Sequence, residues 1–429
     1  MNEKERAPGS GILSTLKFRD FRLYWLGLGI SNVGDGLQNV AGGWLIARLT
    51  DSAAVVGGVT GTVMLPIMAL MLVGGVLADR YERRKILLVT QSLLCLLALA
   101  GVVVVALGQV SLPMVVLWFL MLGALLAFNA PPEHALIAQL VPPGHLPSAL
   151  VLRGASFSTS QLVGAGIAAA LLGLGSLPWL FFVNALSFLP LIVVLWVIRP
   201  LPTPLPAPET AGDGSFREGL RYAWEHRPLR ALLGANALIA FFIHPFYKVF
   251  LPLFVKMVLG GSARELGQVM FGAGVGTFLG SLALARVAPR ARGTALIVTN
   301  VFVALELAAL AFTETLWLAT LHCGLLGLGI SLSYGLTHTL LQVTAPDRFR
   351  GRVISFSELM QMGLPSLAAI ALGLLVDVLR FPITMCLGAA VFLVPATAWL
   401  ISARLSAFTQ RLEPGTASLE PSTPNEQTG

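Results

Sequence analysis

The chain has 429 residues, of which 56% are hydrophobic and 11% are charged, and its mean hydropathy is +0.81. An average soluble protein carries roughly 25% charged residues, so this chain has too few charges to cover a water-soluble surface of its size. High hydropathy also excludes a disordered chain, which leaves an integral membrane protein.

Twelve apolar runs follow one another along the chain, each about as long as the roughly 20 residues that a membrane-spanning helix needs. They lie near 23–48, 53–78, 86–108, 112–139, 149–173, 178–198, 231–255, 265–285, 294–312, 316–342, 353–376 and 382–402. A transmembrane β-barrel would show weak alternating segments of about 10 residues instead. The sequence therefore predicts an all-α integral membrane protein of twelve helices. The three cysteines lie inside apolar runs, which predicts no disulfide framework.

The longest polar interruption separates the sixth run from the seventh. Within it Phe216, Leu220 and Trp224 follow an i, i+4, i+8 spacing, which predicts an amphipathic helix on the membrane surface. The end of the chain is rich in Pro, Ser, Thr and Glu, which is typical of a disordered tail. The predicted parts are a first six-helix half at 1–198, a linker at 199–230, a second six-helix half at 231–404 and a tail at 405–429.

The basic residues are distributed unevenly between the two sides of the predicted membrane. When successive loops are assigned to alternate sides, 23 of the Lys and Arg residues fall on one side and 4 on the other. The positive-inside rule then places both termini in the cytoplasm of a multi-pass protein of the cell membrane. Because the charges cluster in these short loops, the net charge of +7 indicates no nucleic-acid partner.

Two short motifs recur at nearly the same distance along the chain. Gly75 precedes one basic loop and Gly280 precedes another, 205 residues later, while the pairs Val141-Pro142 and Ala345-Pro346 are 204 residues apart. Two pairs at nearly one offset predict two pseudo-symmetric six-helix halves. Paired helical halves with a binding site between them are a recurrent transporter architecture.

The loop after the second run reads GVLADRYERRK and resembles the signature loop of the major facilitator superfamily, with a glutamate in place of its second glycine. A glycine there allows close helix approach, and the acidic residue can pair with a basic group or a helix N-terminus and so hold one conformation. The matching residues, which we assign to a conformational latch, are Gly75, Asp79, Arg80, Arg84 and Lys85.

Further segments are similar to the drug, macrolide and siderophore exporters of that superfamily. They are Phe18–Gln38, 179–189, 251–276 and 346–356. This resemblance implies the major facilitator fold, with the first, fourth, seventh and tenth helices around a central cavity. It also implies export of amphipathic small molecules in exchange for protons. The fifth run reads Gly164-Ala165-Gly166 where antiporters often carry a Gly-Pro pair, which keeps import or facilitation open.

A polar stripe runs along the first helix. It consists of Asn32, Asp35, Gln38, Asn39 and Gly42, which follow steps of three and four residues. A charge inside a membrane costs at least about 2.5 kcal/mol and usually marks a functional group. We expect Asp35 to carry the proton or to bind a cationic group, with Asn39 beside it. The alternative is a structural hydrogen bond between helices.

Three residues of the seventh run form a second candidate group. His244 and Lys248 are four residues apart and share a predicted face with Tyr247. The repeat offset maps Asp35 onto position 240, one turn from His244, so the two groups are expected to face each other across the pseudo-symmetry axis. His244 and Lys248 would bind an anionic substrate or pair with Asp35, and the alternative is a static salt bridge.

A third candidate is Glu133, which follows Pro131-Pro132 in the fourth run. The double proline is expected to kink or break the helix, and a discontinuity beside a carboxylate points to a binding site. Alternatively, Glu133 reaches water at the headgroups. In the tenth run, Tyr334 and His338 are one turn apart and line either the cavity or the core.

The eleventh run begins with a charged group that resembles a second latch. Glu358 follows Arg350 and Arg352, and a charge latch that mirrors Asp79 is expected there. Glu306 lies in the middle of the ninth run, and the pattern assigns it no role.

The sequence contains neither a GxxxxGK[ST] phosphate loop nor a Cys/His cluster with metal-ligand spacing. We therefore expect no enzyme, no metal and no cofactor. The leading hypothesis is a secondary transporter that exports amphipathic small molecules by proton antiport and acts as a monomer in the lipid bilayer. The alternatives are an importer, facilitator or lipid transporter of the same fold, and a membrane sensor that does not transport.

Overall fold

The computed structural model describes residues 12–173, 177–198 and 216–412, and over these residues the chain forms helices joined by short turns, with no β-strand. The helices are α1 Arg19–Leu49, α2 Ala53–Gly61, α3 Met64–Arg80, α4 Arg83–Ala106, α5 Leu112–Leu140, α6 Leu146–Gly173, α7 Leu177–Val197, α8 Phe216–Glu225, α9 Arg227–Phe242, α10 Leu251–Met257, α11 Ala263–Leu284, α12 Arg292–Ala311, α13 Leu316–Thr344 and α14 Asp347–Leu412. The all-α prediction is confirmed.

The helices correspond in order to the twelve apolar runs. Nine segments of the described residues are long and apolar enough to cross a membrane. One of them, Phe349–Val394, contains two helices, because α14 breaks at Arg380, whose φ of 65° lies in the left-handed region. The two remaining apolar runs are α1 and α6. Because α2 and α3 share the second run, and α9 and α10 share the seventh, α1–α7 form one six-helix half and α9–α14 form the other.

Helix α5 is continuous through its two prolines, so of the kink or break expected at Pro131-Pro132, the break does not occur. Pro131 cannot donate a hydrogen bond to the carbonyl group of Ala127, four residues earlier. Gly74 of α3 packs against that carbonyl group, and a Cβ atom there would lie 2.4 Å from the oxygen. The close helix approach expected at Gly75 therefore occurs at Gly74, since a Cβ atom on Gly75 would meet only open space.

The seventh span is irregular in its middle. Helix α9 passes through a π-helical turn at Pro245–Val249 into α10, and the N–H of Phe250 donates to the carbonyl oxygen of Pro245 at 2.9 Å. Pro245 and Pro252 lack the N–H groups that a regular helix needs, which accounts for the wider turn. Such π-helical turns are frequent at functional sites, and this one contains Tyr247 and Lys248.

The predicted amphipathic helix is α8, and it packs on the start of α14. Tyr222 stacks on Phe349 with ring centroids 4.6 Å apart, and Ala223 is buried. Trp224 is 66% exposed on the other side, as expected for a residue at a membrane surface. Of the predicted linker, 199–215 lies outside the described residues, as does 413–429 of the predicted tail. Helix α14 continues to Leu412, so the first part of the predicted tail, 405–412, is helical.

The bundle has two ends, which we name by their charge. The basic end is where α3 is followed by α4, with Arg80 and Arg83, and the opposite end is where α1 is followed by α2. At the opposite end the carboxylate of Asp377 on α14 accepts hydrogen bonds from the backbone N–H groups of Ala53 at 2.6 Å and Ala54 at 3.2 Å. An acidic group at a helix N-terminus is stabilising, so one half caps a helix of the other.

Two further contacts join the halves at the opposite end. Lys256 of α10 donates to Asp51 at 2.7 Å and to the carbonyl oxygen of Ala47 at 2.6 Å. Gly57 of α2 packs on α14 so closely that a Cβ atom would lie 2.2 Å from the carbonyl oxygen of Ala369. The opposite end is therefore closed by contacts between the two halves.

Candidate functional site

One part of the polar stripe on α1 has a structural role. Gln38 is 9% exposed and accepts a hydrogen bond from the side-chain amide of Asn184 on α7. Gly34 packs against the same helix, where a Cβ atom would lie 1.9 Å from the hydroxyl oxygen of Ser187. This side of α1 is committed to packing within the first half.

Asp35 and Asn39 lie on a different side of α1. Gly42 faces Phe119 of α5 and Gly43 faces Pro252 of α10. Asp35 is two turns before Gly42, and Asn39 is one turn before Gly43, so both are directed between α5 and the seventh span. The side chain of Asp35 is half-buried and has no hydrogen bond or ion pair with any described residue. Asp35 thus faces the space between the halves.

The three candidates of the seventh span separate into two groups. The hydroxyl of Tyr247 donates to the carbonyl oxygen of Ala273 at 3.2 Å and lies 3.0 Å from the hydroxyl of Thr277, so Tyr247 joins the seventh span to α11. His244 is 4% exposed, and its Nδ1 has no partner among the described residues. Lys248 is exposed and likewise forms no ion pair there. Neither residue is bonded to Asp35.

Glu133 is at the centre of a polar network within the first half. Its Oε1 accepts two hydrogen bonds from the guanidinium of Arg153 on α6, at 2.6 and 3.0 Å. Asn129 donates to Glu133 Oε2 at 3.3 Å and accepts from Thr90 at 2.9 Å and Gln91 at 3.1 Å. A carboxylate that accepts two charge-assisted hydrogen bonds is strongly stabilised, so this network ties α4, α5 and α6 together.

A second carboxylate cluster lies in the other half. The hydroxyl of Tyr334 on α13 donates to Glu358 Oε1 on α14 at 2.7 Å. His338 Nε2 is 3.6 Å from the same oxygen, and the amide of Gln342 is 3.1 Å from His338 Nδ1. The structure therefore brings together Tyr334 and His338, predicted to line either the cavity or the core, with Glu358, predicted as a latch residue.

The expected latch between Glu358 and its neighbouring arginines takes another form. Arg350 Nε donates to the backbone carbonyl oxygen of Gln342 at 2.9 Å. Arg352 Nη1 is 3.9 Å from Glu218 Oε2 on α8. Because Arg350 and Arg352 point towards the end of α13 and towards the linker helix, Glu358 is paired with α13 instead.

The signature loop is held within the first half. Arg84 donates to the carbonyl oxygens of Trp196 at 3.3 Å and Ile198 at 3.1 Å, at the C-terminal end of α7, where a cation is favourable. Lys85 pairs with Glu82 at 3.0 Å on an exposed surface, and Arg80 is exposed. The side chain of Asp79 lies outside the described residues.

One half-buried pair was not found from the sequence. Glu306 of α12 and His322 of α13 are 2.7 Å apart and only 14% and 21% exposed. The sequence did contain a signal for this pair. Glu306 and His322 are nearly the same number of residues from the turn that joins α12 to α13, so they lie at the same depth in the bundle. Among the described residues no three His, Cys, Asp or Glu side chains come together as a metal site would require.

Comparisons with known proteins agree with this architecture. The chain is 27% identical over 360 residues to the multidrug efflux pump Tap of Mycolicibacterium fortuitum, covering 80% of this chain and 85% of that protein. It is 29% identical over 356 residues to the enterobactin exporter EntS of Salmonella typhi, covering 80% and 82%.

Solved structures share the fold. A bacterial homologue of the human lysosomal transporter Spinster, in an inward-facing and unoccupied conformation, superposes with a TM-score of 0.69 at 16% identity, covering 92% of this chain and 98% of that chain. A D-xylose-proton symporter gives a TM-score of 0.67 at 14% identity, covering 90% and 96%. The predicted fold of twelve helices in two halves is confirmed. The model of the transmembrane secretion effector family matches residues 10–424, and the chain belongs to this family of the major facilitator superfamily, in its drug and siderophore exporter branch.

Proposed function

We propose that the protein exports amphipathic small molecules across the cell membrane in exchange for protons. The uneven distribution of Lys and Arg supports a cytoplasmic position for the basic end and both termini. The named functions of the relatives, multidrug and enterobactin efflux, support export of small molecules of this kind. We expect the protein to work as a monomer.

One observation carries the proposal. Glu133, Glu306 and Glu358, three carboxylates within the predicted spans, each have a hydrogen-bonding or ionic partner. Asp35 has none among the described residues, although it lies in the middle of α1 and faces the space between the halves. An unpartnered acidic side chain inside a membrane is costly unless it binds an ion or a proton. Asp35 is therefore the proposed proton carrier, with Glu133 as the second candidate.

The conformation supports alternating access. Asp377 and Lys256 close the opposite end, whereas at the basic end the pair of Arg153 with Glu133 and the cap by Arg84, both among the described residues, lie within one half. In this state a substrate enters the space between the halves from the basic end. Its release requires a second state in which the opposite end opens. A proton on Asp35 couples the two fluxes if the two states differ in their affinity for it.

The test uses everted membrane vesicles with a fluorescent pH-gradient probe and a panel of cationic, neutral and anionic amphipaths. We expect proton release with at least one class, and its loss in Asp35→Asn with normal membrane insertion. Glu225→Gln, which removes an exposed carboxylate from α8, serves as the matched control and keeps the response. Export by Asp35→Asn at the parent rate, with unchanged pH dependence, would exclude Asp35 as the carrier.

A second candidate function rests on Lys248. It is a cation in the π-helical turn of the seventh span, exposed and without an ion-pair partner among the described residues. Such a group suits an anionic amphipath, whether the protein imports, facilitates or carries lipids. In the same panel, Lys248→Met then abolishes the response to anionic compounds and spares the response to cationic ones. An equal response to both classes rejects this role.

A further inference from the structure

The two carboxylate clusters occupy equivalent positions in the two halves. His338 lies 205 residues after Glu133, Glu358 lies 205 residues after Arg153, and Tyr334 lies 205 residues after Asn129. This is the offset of the sequence repeat. Asp51 and Lys256, which bond to each other at the opposite end, differ by the same number.

The equivalent clusters have similar geometry and different chemistry. In the first half Arg153 approaches Glu133, and Asn129, one turn before Glu133, donates to the same carboxylate. In the second half His338 approaches Glu358, and Tyr334, one turn before His338, donates to that carboxylate. The acid is on α5 in the first half and on α14 in the second, so the polarity is reversed. The cation in the first half is a guanidinium, which does not lose its proton. Its counterpart in the second half is an imidazole, which can gain and lose a proton.

The clusters also differ in their access to water. Side-chain exposure is 12% for Glu133 and 27% for Arg153, against 34% for Glu358 and 30% for His338. A proton therefore reaches the second cluster more easily. As oriented here, the amide of Gln342 donates to His338 Nδ1, and a second proton on the imidazole requires that amide to turn and accept instead.

We propose that the cluster of Tyr334, His338 and Glu358 is a proton-binding site, while the equivalent cluster of Asn129, Glu133 and Arg153 is a permanently charged pair. This inference adds a second site to the proposed function and rests on it only for the link to export. It also removes Glu133 as the second candidate for the proton carrier.

The effect of a proton on the charge of this cluster depends on the charged and polar groups that surround it. On α13 they are Tyr334 and Gln342. On α14, Arg350 and Arg352 are directed away, to the Gln342 carbonyl and to Glu218 of α8. Helix α9 presents the uncharged Asn236 to Ser357, and α12 presents the uncharged Asn300 to Ser333. From the other half, His134 of α5 lies within electrostatic range of both Glu358 and Arg153.

The net charge of this cluster affects the attraction between the two halves at the basic end. With His338 protonated, the pair with Glu358 is neutral overall, and the second half exerts little attraction on the first. With His338 neutral, the charge of Glu358 is uncompensated and attracts positive charge on the other half, where His134 lies within electrostatic range. Loss of the proton therefore favours closure of the basic end, and gain of the proton favours the open state.

The experiment measures the width of the basic end directly and needs no substrate. Spin labels replace Leu150 on α6 and Val343 on α13, both exposed near the basic end, after the native cysteines are removed. Distances are measured in lipid nanodiscs at about pH 5.5 and about pH 8, which bracket the ordinary range of histidine. We expect the ratio of short to long distances to rise roughly fivefold at the higher pH, as one uncompensated charge across the gap predicts.

Three variants test the assignment. His338→Arg makes the cation permanent, so the long distance is expected at both pH values, and His338→Gln removes the cation, so the short distance is expected at both. Arg153→Lys keeps the permanent charge at the equivalent position and should respond as the parent does. A parent-like pH response in both His338 variants, or a response lost in His134→Gln alone, overturns the proposal.

The two proposals fail separately. If the vesicle assay shows proton release that depends on Asp35 but the His338 variants keep the parent pH response, the second site is wrong and the proposed function stands. If no compound releases protons while His338→Arg abolishes the pH response of the distance, the site binds a proton and the antiport is wrong.

Discussion

The two ends of the bundle are held by different kinds of contact. At the opposite end the strong interactions cross from one half to the other: Asp377 caps α2, and Lys256 bonds to Asp51. At the basic end they remain within a half: Arg153 binds Glu133, and Arg84 binds the end of α7. If the protein works by alternating access, as proposed, contacts of the first kind must break in each transport cycle, whereas those of the second kind persist through it.

This difference separates stability from conformational equilibrium. Substitutions at the basic end that break contacts within a half are expected to lower the unfolding temperature and leave the balance between states largely unchanged. Substitutions at the opposite end are expected to shift that balance and leave the unfolding temperature nearly unchanged. Four variants test this division.

Arg153→Leu has the largest expected effect. It leaves Glu133, which is only 12% exposed, as a charge without its counterion, and removal of one partner from such a pair costs about 3 kcal/mol. Thermal unfolding of the purified protein should show the loss. The double variant with Glu133→Gln should recover part of it, and an unchanged unfolding temperature in Arg153→Leu would show that the network does not stabilise the half.

Gly57→Ala should open the opposite end. The new Cβ atom would lie 2.2 Å from the carbonyl oxygen of Ala369, so α2 and α14 must separate, at a cost of about 2 kcal/mol to the closed end. Spin labels at Leu107 and Phe312, both exposed at this end, should report longer distances. Gly58→Ala is the matched control, since nothing lies within 4 Å of its Cβ position. Equal distances in the Gly57→Ala and Gly58→Ala proteins would contradict a role of Gly57 in closing this end.

Asp377→Asn should have a smaller effect of the same kind. The amide oxygen still accepts a hydrogen bond, but the charge that favours a helix N-terminus is lost, which weakens the closed end by about 1 kcal/mol. The same label pair should show a roughly fivefold gain in the open population. Glu314→Gln removes an exposed carboxylate at this end and should change nothing. A shift in both variants would indicate a general charge effect instead of a cap.

Lys256→Met should have the smallest effect. Asp51 is 73% exposed, and exposed ion pairs contribute about 0.5 kcal/mol and are screened by salt. We expect the open population to rise about twofold at low salt. The parent should approach the variant as salt is added, while the variant stays constant. Equal salt dependence in the two proteins would exclude an electrostatic contribution from Lys256.

The fold was predictable because its signals are local. The twelve apolar runs and the 205-residue repeat each follow from hydropathy or spacing along the chain. Details that depend on tertiary packing were not predictable. Gly74 rather than Gly75 makes the close approach, because Pro131 leaves the Ala127 carbonyl free to meet it.

The candidate site was predictable only as a set of residue types. Asp35 is singled out by its depth in an apolar run, and the structure adds that it has no hydrogen-bonding or ionic partner among the described residues. Gln38 belongs to the same stripe, but Asn184, 146 residues away, engages it. Glu358 was expected to pair with nearby arginines and pairs with α13 instead. Side-chain partners between distant helices depend on helix rotation, which periodicity does not determine.

The pairing of Glu306 with His322 has a consequence for biogenesis. The two residues are 16 positions apart, on consecutive spans. If α12 entered the lipid alone, Glu306 would face hydrocarbon without a partner, at a cost of about 2.5 kcal/mol or more. Once α13 is beside it, a single proton shared between carboxylate and imidazole leaves the two groups with no net charge. The translocon is therefore expected to release α12 and α13 into the bilayer together, as a preassembled hairpin.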